Sequence, residues 1–382
     1  MHEVELGSSQ GEDFQGTLTY LCCVEDTRQR WDPKTPWVLP TSFVQEALLV
    51  ISALGLAASY LLTWDLWQPR VGPPNLPAVG ALQSIGFGVP LLLAALSAPL
   101  FPRLAATLHA GLLILAVLGD QVRIQPEFAS LAILLFAAAW PSTGLRVARW
   151  HLTTLWAWAG MHKLLSGGWP SGGASFIATS LGAPGLRPLI AVAVPLLELG
   201  LAFLALTPKT WKALRWTAPV FHFGVLLPLA LTGWNTAVWP WNLCLAASAP
   251  LLFSDAFKHP AGDRRRVSQR ALPVAVAAFL ALYPLGFYFG AMDAYLAHNL
   301  YSSNTAEASI CSSTPRNGSC RTTSFSTWED LNVPLPPEKR LFTEWFERIC
   351  QPDEVLRIDG RWTRLSERSV TLVPCKQSRF TE

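Results

Sequence analysis

Apolar runs of membrane-spanning length recur along this chain, near residues 43–63, 78–98, 104–120, 127–141, 150–166, 188–207, 216–233, 238–254 and 271–291. Inside a bilayer the backbone must satisfy its own N–H and C=O groups, so runs of this kind fold as helices. Several are short or carry a proline (Pro90, Pro195, Pro219, Pro228, Pro284), which sets the expectation at about nine transmembrane helices. Only 14% of the residues are charged, against about 25% in soluble domains. Seventeen tryptophans suit membrane interfaces, where that side chain collects. The expected class is an all-α polytopic membrane protein, and membrane lipids are its first partners. A net charge of +3, with no basic stretch interleaved with aromatics, argues against nucleic acid.

Charge placement gives an orientation. Arg103; Arg146 and Arg149; Lys209, Lys212 and Arg215; and Lys258, Arg264, Arg265, Arg266 and Arg270 fall in alternate loops. Basic loops stay cytoplasmic, so nine spans with the N-terminus inside put the C-terminal tail outside. Residues 1–42 read as a cytoplasmic tail, with no basic start leading into an apolar run, so no cleaved leader is expected. Residues 43–295 read as the transmembrane domain, and 296–382 as a small α+β extracytoplasmic domain. In a bacterium the membrane would be the cytoplasmic one.

Cysteine usage agrees with that orientation. Cys22 and Cys23 lie in the N-terminal tail and Cys244 in an apolar run, whereas Cys311, Cys320, Cys350 and Cys375 all follow the last span. Four cysteines in so short a tail suit an oxidising compartment and are disulfide candidates, with the pairing open. Pro336 and Pro337 introduce EKRLFTEWFERIC, where Leu341, Phe342, Trp345, Phe346 and Ile349 keep helical spacing. VLRIDGRWTRL then alternates about Asp359-Gly360, a hairpin signal. A helix and a hairpin have too little core alone, so disulfides or packing on the membrane domain must support them.

Candidate chemistry gathers at the outer ends of the spans. His162 and Lys163 close the fifth run, one turn after Ala159 and Gly160, which let a neighbouring helix or ligand approach. A desolvated Lys163 can serve as a base; the plainer alternative is a lysine snorkelling to the headgroups. Glu198 sits mid-span and must be paired, protonated or wet, with His222 or Lys163 as partner, or else it transfers protons. His222 reads either as a catalytic group or as a hydrogen-bonded core histidine. Asp120 and Arg123 cap two spans, either to bind a polar headgroup or as a solvated ion pair. In WNTAVWPWN, Trp234 and Trp241 form an interfacial belt or line a site, and Asn235 and Asn242 can bond a ligand's polar edge. No metal site is expected from such scattered histidines, and CxxC, HExxH, GxSxG and phosphate-loop motifs are lacking.

In order along the chain, AGMHKL at 159–164, Trp169, LELG around Glu198, the Phe-His pair ending at His222 and LAASAPLLFS at 245–254 resemble the membrane domain of the vitamin K-dependent gamma-carboxylase family. Its bacterial relatives are the horizontally transferred transmembrane (HTTM) domain proteins, and DoxX-like membrane proteins share a related plan. The resemblance covers roughly residues 100–295. It implies that Lys163 is the base that activates a quinone cofactor in its hydroquinone form, with chemistry at the outer face. His222 falls on a family Phe-His position. The family carries a second functional histidine between the third and fourth spans, where this chain has DQVRIQPEF, and a far longer lumenal region.

Three functions follow. The first is carboxylase-like or quinone-dependent redox or modification chemistry, with Lys163 as base and Glu198 and His222 supporting it. The second is a non-catalytic DoxX-like subunit that docks an extracytoplasmic protein partner through its tail. The third is a carrier with Glu198 as proton site, for which no inverted repeat speaks.

Overall fold

The computed structural model describes residues 41–70, 72–254, 268–312, 320–322, 325–365 and 367–376. The expected cytoplasmic tail with Cys22 and Cys23, and most of the basic loop from Lys258 to Arg266, lie outside them. Long helices dominate: α1 (Thr41–Leu62), α2 (Gly88–Ser97), α3 (Pro102–Gly119), α4 (Pro126–Ala139), α5 (Pro141–Leu165), a short α6 (Gly173–Ser180), α7 (Arg187–Ala205), α8 (Trp211–Thr232), α9 (Trp239–Leu252) and α10 (Ser268–Leu282). Among the described residues, Ser42–Leu62, Pro102–Gly119, Pro184–Ala205 and Trp211–Thr232 are long and apolar enough to cross a membrane. α7 and α8 turn Leu189, Val192, Leu196, Phe203, Val220, Phe223, Leu227 and Leu231 outward, fully apolar faces of the kind lipid covers. Several such helices are the make-up of an integral membrane protein.

Two run boundaries differ from expectation. The 78–98 run yields a 3-10 turn (Gly80–Leu82) and only ten residues of α2. Ten residues rise roughly 15 Å, half of a bilayer core. α5 instead begins nine residues before the apolar run, at Pro141, because proline suits the first helical turn; Arg146 and Arg149 break the apolar pattern there without breaking the helix. The prolines inside α7 and α8 likewise leave those helices continuous.

The helix ends sort into two groups. At one end, Arg149 Nε donates to Leu252 O (2.6 Å) and Arg215 Nε to Phe253 O (2.9 Å), so α5, α8 and α9 meet there. At the other end lies the C-terminal cap. Asn332 Nδ2 donates to Leu62 O (3.0 Å) after α1, Gln125 Nε2 to Pro334 O (2.9 Å) before α4, and Arg364 N to Leu165 O (2.8 Å) at the end of α5.

The cap holds β1 (Glu307–Ser312), β2 (Cys320–Thr322), α11 (Phe325–Leu331), α12 (Lys339–Ile349), β3 (Glu354–Asp359) and β4 (Val370–Pro374), with an antiparallel sheet in the order β2-β1-β3-β4. α12 buries Leu341, Phe342, Trp345 and Phe346 as its spacing requires, and Ile349 packs beside them. Cysteines pair 311 with 320 and 350 with 375. The cap's buried residues are continuous with the bundle's, so both expected supports are present.

The hairpin at Asp359-Gly360 is a correction. β3 pairs with Val370–Pro374 rather than with RWTRL, and residues 360–369 form the connection. The reason lies in the bundle: the last carbonyls of a helix need donors, and Arg364 N supplies one to Leu165 O. Gly167 N donates to Trp362 O (2.9 Å) and Thr363 bridges to Ser166, so this stretch is spent on closing α5.

Candidate functional site

Lys163 ends up buried, with its Nζ 2.7 Å from Glu198 Oε1. Gly160 makes that possible. A Cβ there would lie 2.8 Å from Pro195 O and 3.2 Å from Glu198 Cβ, so only glycine lets α7 come this close to α5. The small residues one turn before Lys163 thus admit a helix, while Ala159 borders a cavity. Lys163 Nζ also lies 5.5 Å from the Trp169 ring centre, a cation–π distance. The snorkelling alternative fails on geometry, because the side chain turns inward to a carboxylate.

The pair forms part of the wall of a cavity of about 330 Å³, a volume at the lower edge of ligand sites. Trp156, Trp169, Phe176, Phe221, Trp234 and Trp241 supply most of its apolar surface. Two buried polar atoms on lining residues have no hydrogen-bond partner among the described residues: the acceptor Glu198 Oε2 and the donor Trp241 Nε1. Unmade bonds of buried groups cost about 1–3 kcal/mol each, so the site is set to accept a ligand with both a donor and an acceptor.

Of the other expected residues, His222 and Asn242 reach the cavity but are already bonded. Trp156 Nε1 donates to His222 Nε2 (3.2 Å), so the ring carries its proton on Nδ1 and donates to Asn242 Oδ1 (3.1 Å); Asn242 Nδ2 donates to Val238 O (3.1 Å). His222 therefore holds Trp156 and Asn242 in place and presents no free nitrogen. Asn235 has left-handed backbone (φ 49°) and donates its amide to the Tyr301 hydroxyl, and Trp234 packs on Phe176 and Tyr301. Burial pushes the Tyr301 phenol well above its ordinary value, which keeps it neutral.

Three expected ligand contacts are elsewhere. His162 points away from the cavity, with Nδ1 2.8 Å from the Tyr288 hydroxyl and Nε2 2.9 Å from Ala297 O. Asp120 and Arg123 form no solvated pair. Both are buried at the cap junction, where Asp120 Oδ1 accepts from Leu76 N and Val122 N and Oδ2 pairs with Arg70 (2.5 Å). Arg123 donates to Leu66 O (2.8 Å) and Ala116 O (3.0 Å).

His298 is the cavity residue that the sequence reading missed. With Leu300, Tyr301 and Ser303 it belongs to an irregular segment that covers the cavity beside the glycine-rich turn after α5. A Cβ on Gly168 would meet Ser303 O at 2.7 Å, and one on Gly173 would meet Tyr301 O at 2.9 Å. The glycines are there so that this segment can lie on them. No cluster of three or more metal-ligating side chains occurs among the described residues. No protein-family model, no curated protein and no solved structure matches the chain.

Proposed function

We propose that this is an integral membrane protein of about nine spans that binds a lipid-soluble quinone in the cavity and exchanges protons with it at the Lys163–Glu198 pair. The observation that carries this reading is the free Glu198 Oε2 beside an ion-paired Lys163, in the wall of an apolar, tryptophan-rich cavity. Flat aromatic surfaces favour a planar ring, Trp241 Nε1 is a donor for a ring carbonyl, and Glu198 Oε2 is an acceptor for a ring hydroxyl. Bound as a hydroquinone, the cofactor supplies two exchangeable protons and two electrons. Lys163, the base implied by the likeness to the gamma-carboxylase family, already donates to Oε1. The open accepting atom of the pair is therefore Oε2, with Lys163 as its counter-charge.

The cap is placed outside the cytoplasm in this reading. Support comes from the basic loops gathered at the opposite end of the bundle and from the two cysteine pairs, which suit an oxidising compartment.

Mass spectrometry of lipids extracted from the purified protein tests the reading. Wild type should carry an enriched quinone and oxidise its hydroquinone in oxygen, and Lys163→Ala should do neither. No enrichment, with both proteins alike, removes the proposal.

A second reading, a subunit that docks an extracytoplasmic protein, rests on β4. It is a sheet edge whose Val370 and Leu372 are 53% and 64% exposed. A partner that co-purifies with wild type and is lost on Leu372→Lys would favour it.

A further inference from the structure

The segment that covers the cavity has unusual backbone. His298, Tyr301 and Ser303 have φ of 59°, 55° and 53°, left-handed values that non-glycine residues seldom adopt. Its neighbours hold it there: Gly173 N donates to Ser303 Oγ (3.2 Å), Asn235 bonds Tyr301, and Asn299 N donates to Ala294 O (2.9 Å). Strain kept in this way gathers where a side chain has to be presented, and what is presented here is the His298 ring.

The ring has the cavity on one side and a route to the surface on the other. Its Nε2 is 2.9 Å from the hydroxyl oxygen of Tyr283, and that hydroxyl lies 2.8 Å from Leu296 O on an exposed part of the chain. The hydroxyl has one hydrogen, given to Leu296 O, so Nε2 is the donor and Tyr283 Oη the acceptor. The neutral ring then keeps Nδ1 as a bare base. Burial, with His151 and His162 nearby, holds the imidazole well below its ordinary value, so it rests neutral. The neighbouring histidines are placed differently: His162 is bonded at both nitrogens, and His151 is bonded to Ser130 Oγ (2.7 Å) and is not among the cavity-lining residues.

We infer that His298 and Tyr283 form a two-residue proton path between the cavity and the cap-side surface. The inference rests on the quinone reading above and adds the exit for the proton. In one passage a proton leaves a ligand hydroxyl for His298 Nδ1, the Nε2 proton moves to Tyr283 Oη, and the tyrosine's original proton passes to water at the surface. One proton enters and one leaves, no electrons move along the path, and the ring is left as its other tautomer, to be reset by the reverse exchange.

The test measures oxygen-dependent oxidation of a short-chain naphthohydroquinone by the full-length protein in nanodiscs. Wild type is compared with His298→Asn, Tyr283→Phe and Lys163→Ala. Asparagine tolerates left-handed backbone, so His298→Asn keeps the segment in place. The path predicts that His298→Asn lowers kcat about 100-fold, within the usual range for a lost acid–base group, at unchanged KM. Added imidazole should restore part of the rate, and Tyr283→Phe should show a smaller kcat loss, also at unchanged KM. Wild-type kcat in both path variants, with Lys163→Ala inactive, overturns the inference and leaves the quinone reading standing. A raised KM with kcat intact and no imidazole rescue reduces His298 to a wall residue and also overturns it. A wild type that neither binds nor oxidises the probe overturns both.

Discussion

Two clusters of buried charge sit in this bundle, and they are finished differently. At the cap junction Asp120, Arg70 and Arg123 are tied to one another and to backbone groups from three separate segments, and Arg123 lies over the rings of Trp67 and Phe87. At the cavity Lys163 and Glu198 are equally buried, but one carboxylate oxygen is unbonded and an open space adjoins it. A saturated cluster fastens chain segments together. One with a spare valence beside a cavity can bind and exchange. Burial alone does not separate the two cases, whereas counting bonds atom by atom does.

The comparison breaks most visibly at Lys163. Lys163→Met alone strands a buried carboxylate and should cost about 3–5 kcal/mol, while Lys163→Met with Glu198→Leu should return close to wild-type stability. Both should lose hydroquinone turnover by at least about 100-fold. Thermal unfolding in detergent beside a turnover assay checks this, and a double variant that kept activity would move the chemistry elsewhere. Arg123→Met gives the converse. It should cost about 3–5 kcal/mol by leaving Asp120 and two carbonyls short of a donor, yet quinone bound per folded molecule should not change. A proportionate loss of quinone would put the junction in the site.

The smallest effect sharpens the contrast on the cap itself. Glu338 accepts from Ala294 N (2.7 Å), and burial holds its carboxyl above the ordinary value of about 4.3. Between that ordinary value and the raised one, the folded protein binds more protons than the unfolded chain. The stabilisation from this group is therefore full at the acid end and is lost as pH rises through the raised value. Glu338→Gln should flatten that fall, by about 1.4 kcal/mol for each unit of the shift. Unfolding curves from pH 4 to 8 would show it, and an unchanged slope would mean that another group sets it.

Helix positions were readable because apolar runs are long and repetitive. Their ends were less so: α5 starts at Pro141 under two arginines, and α2 covers only half of its run. Glu198 announced itself as a mid-span carboxylate that needs a partner, and Lys163 was one of two named for it. Which of the two depended on Gly160, whose role is a close approach between helices far apart in sequence. His222 carried the same ambiguity, and its two filled nitrogens resolved it. His298 gave almost no signal. It follows the last helix in an irregular stretch, and only its His-Asn pair, residue types enriched in left-handed backbone, hinted at the turn. Asp359-Gly360 misled because local turn preference was outweighed by unpaired carbonyls at the end of a distant helix.

The clip between Ser166 and Thr363 also bears on biosynthesis. A ribosome makes the Lys163 wall long before it makes His298, Ser303 or the 361–365 stretch that completes it. Half-made chains can therefore insert helices into a bilayer while their reactive pair still has no roof. Completion of the cap then acts as a checkpoint, because the chamber is closed by the last quarter of the polypeptide.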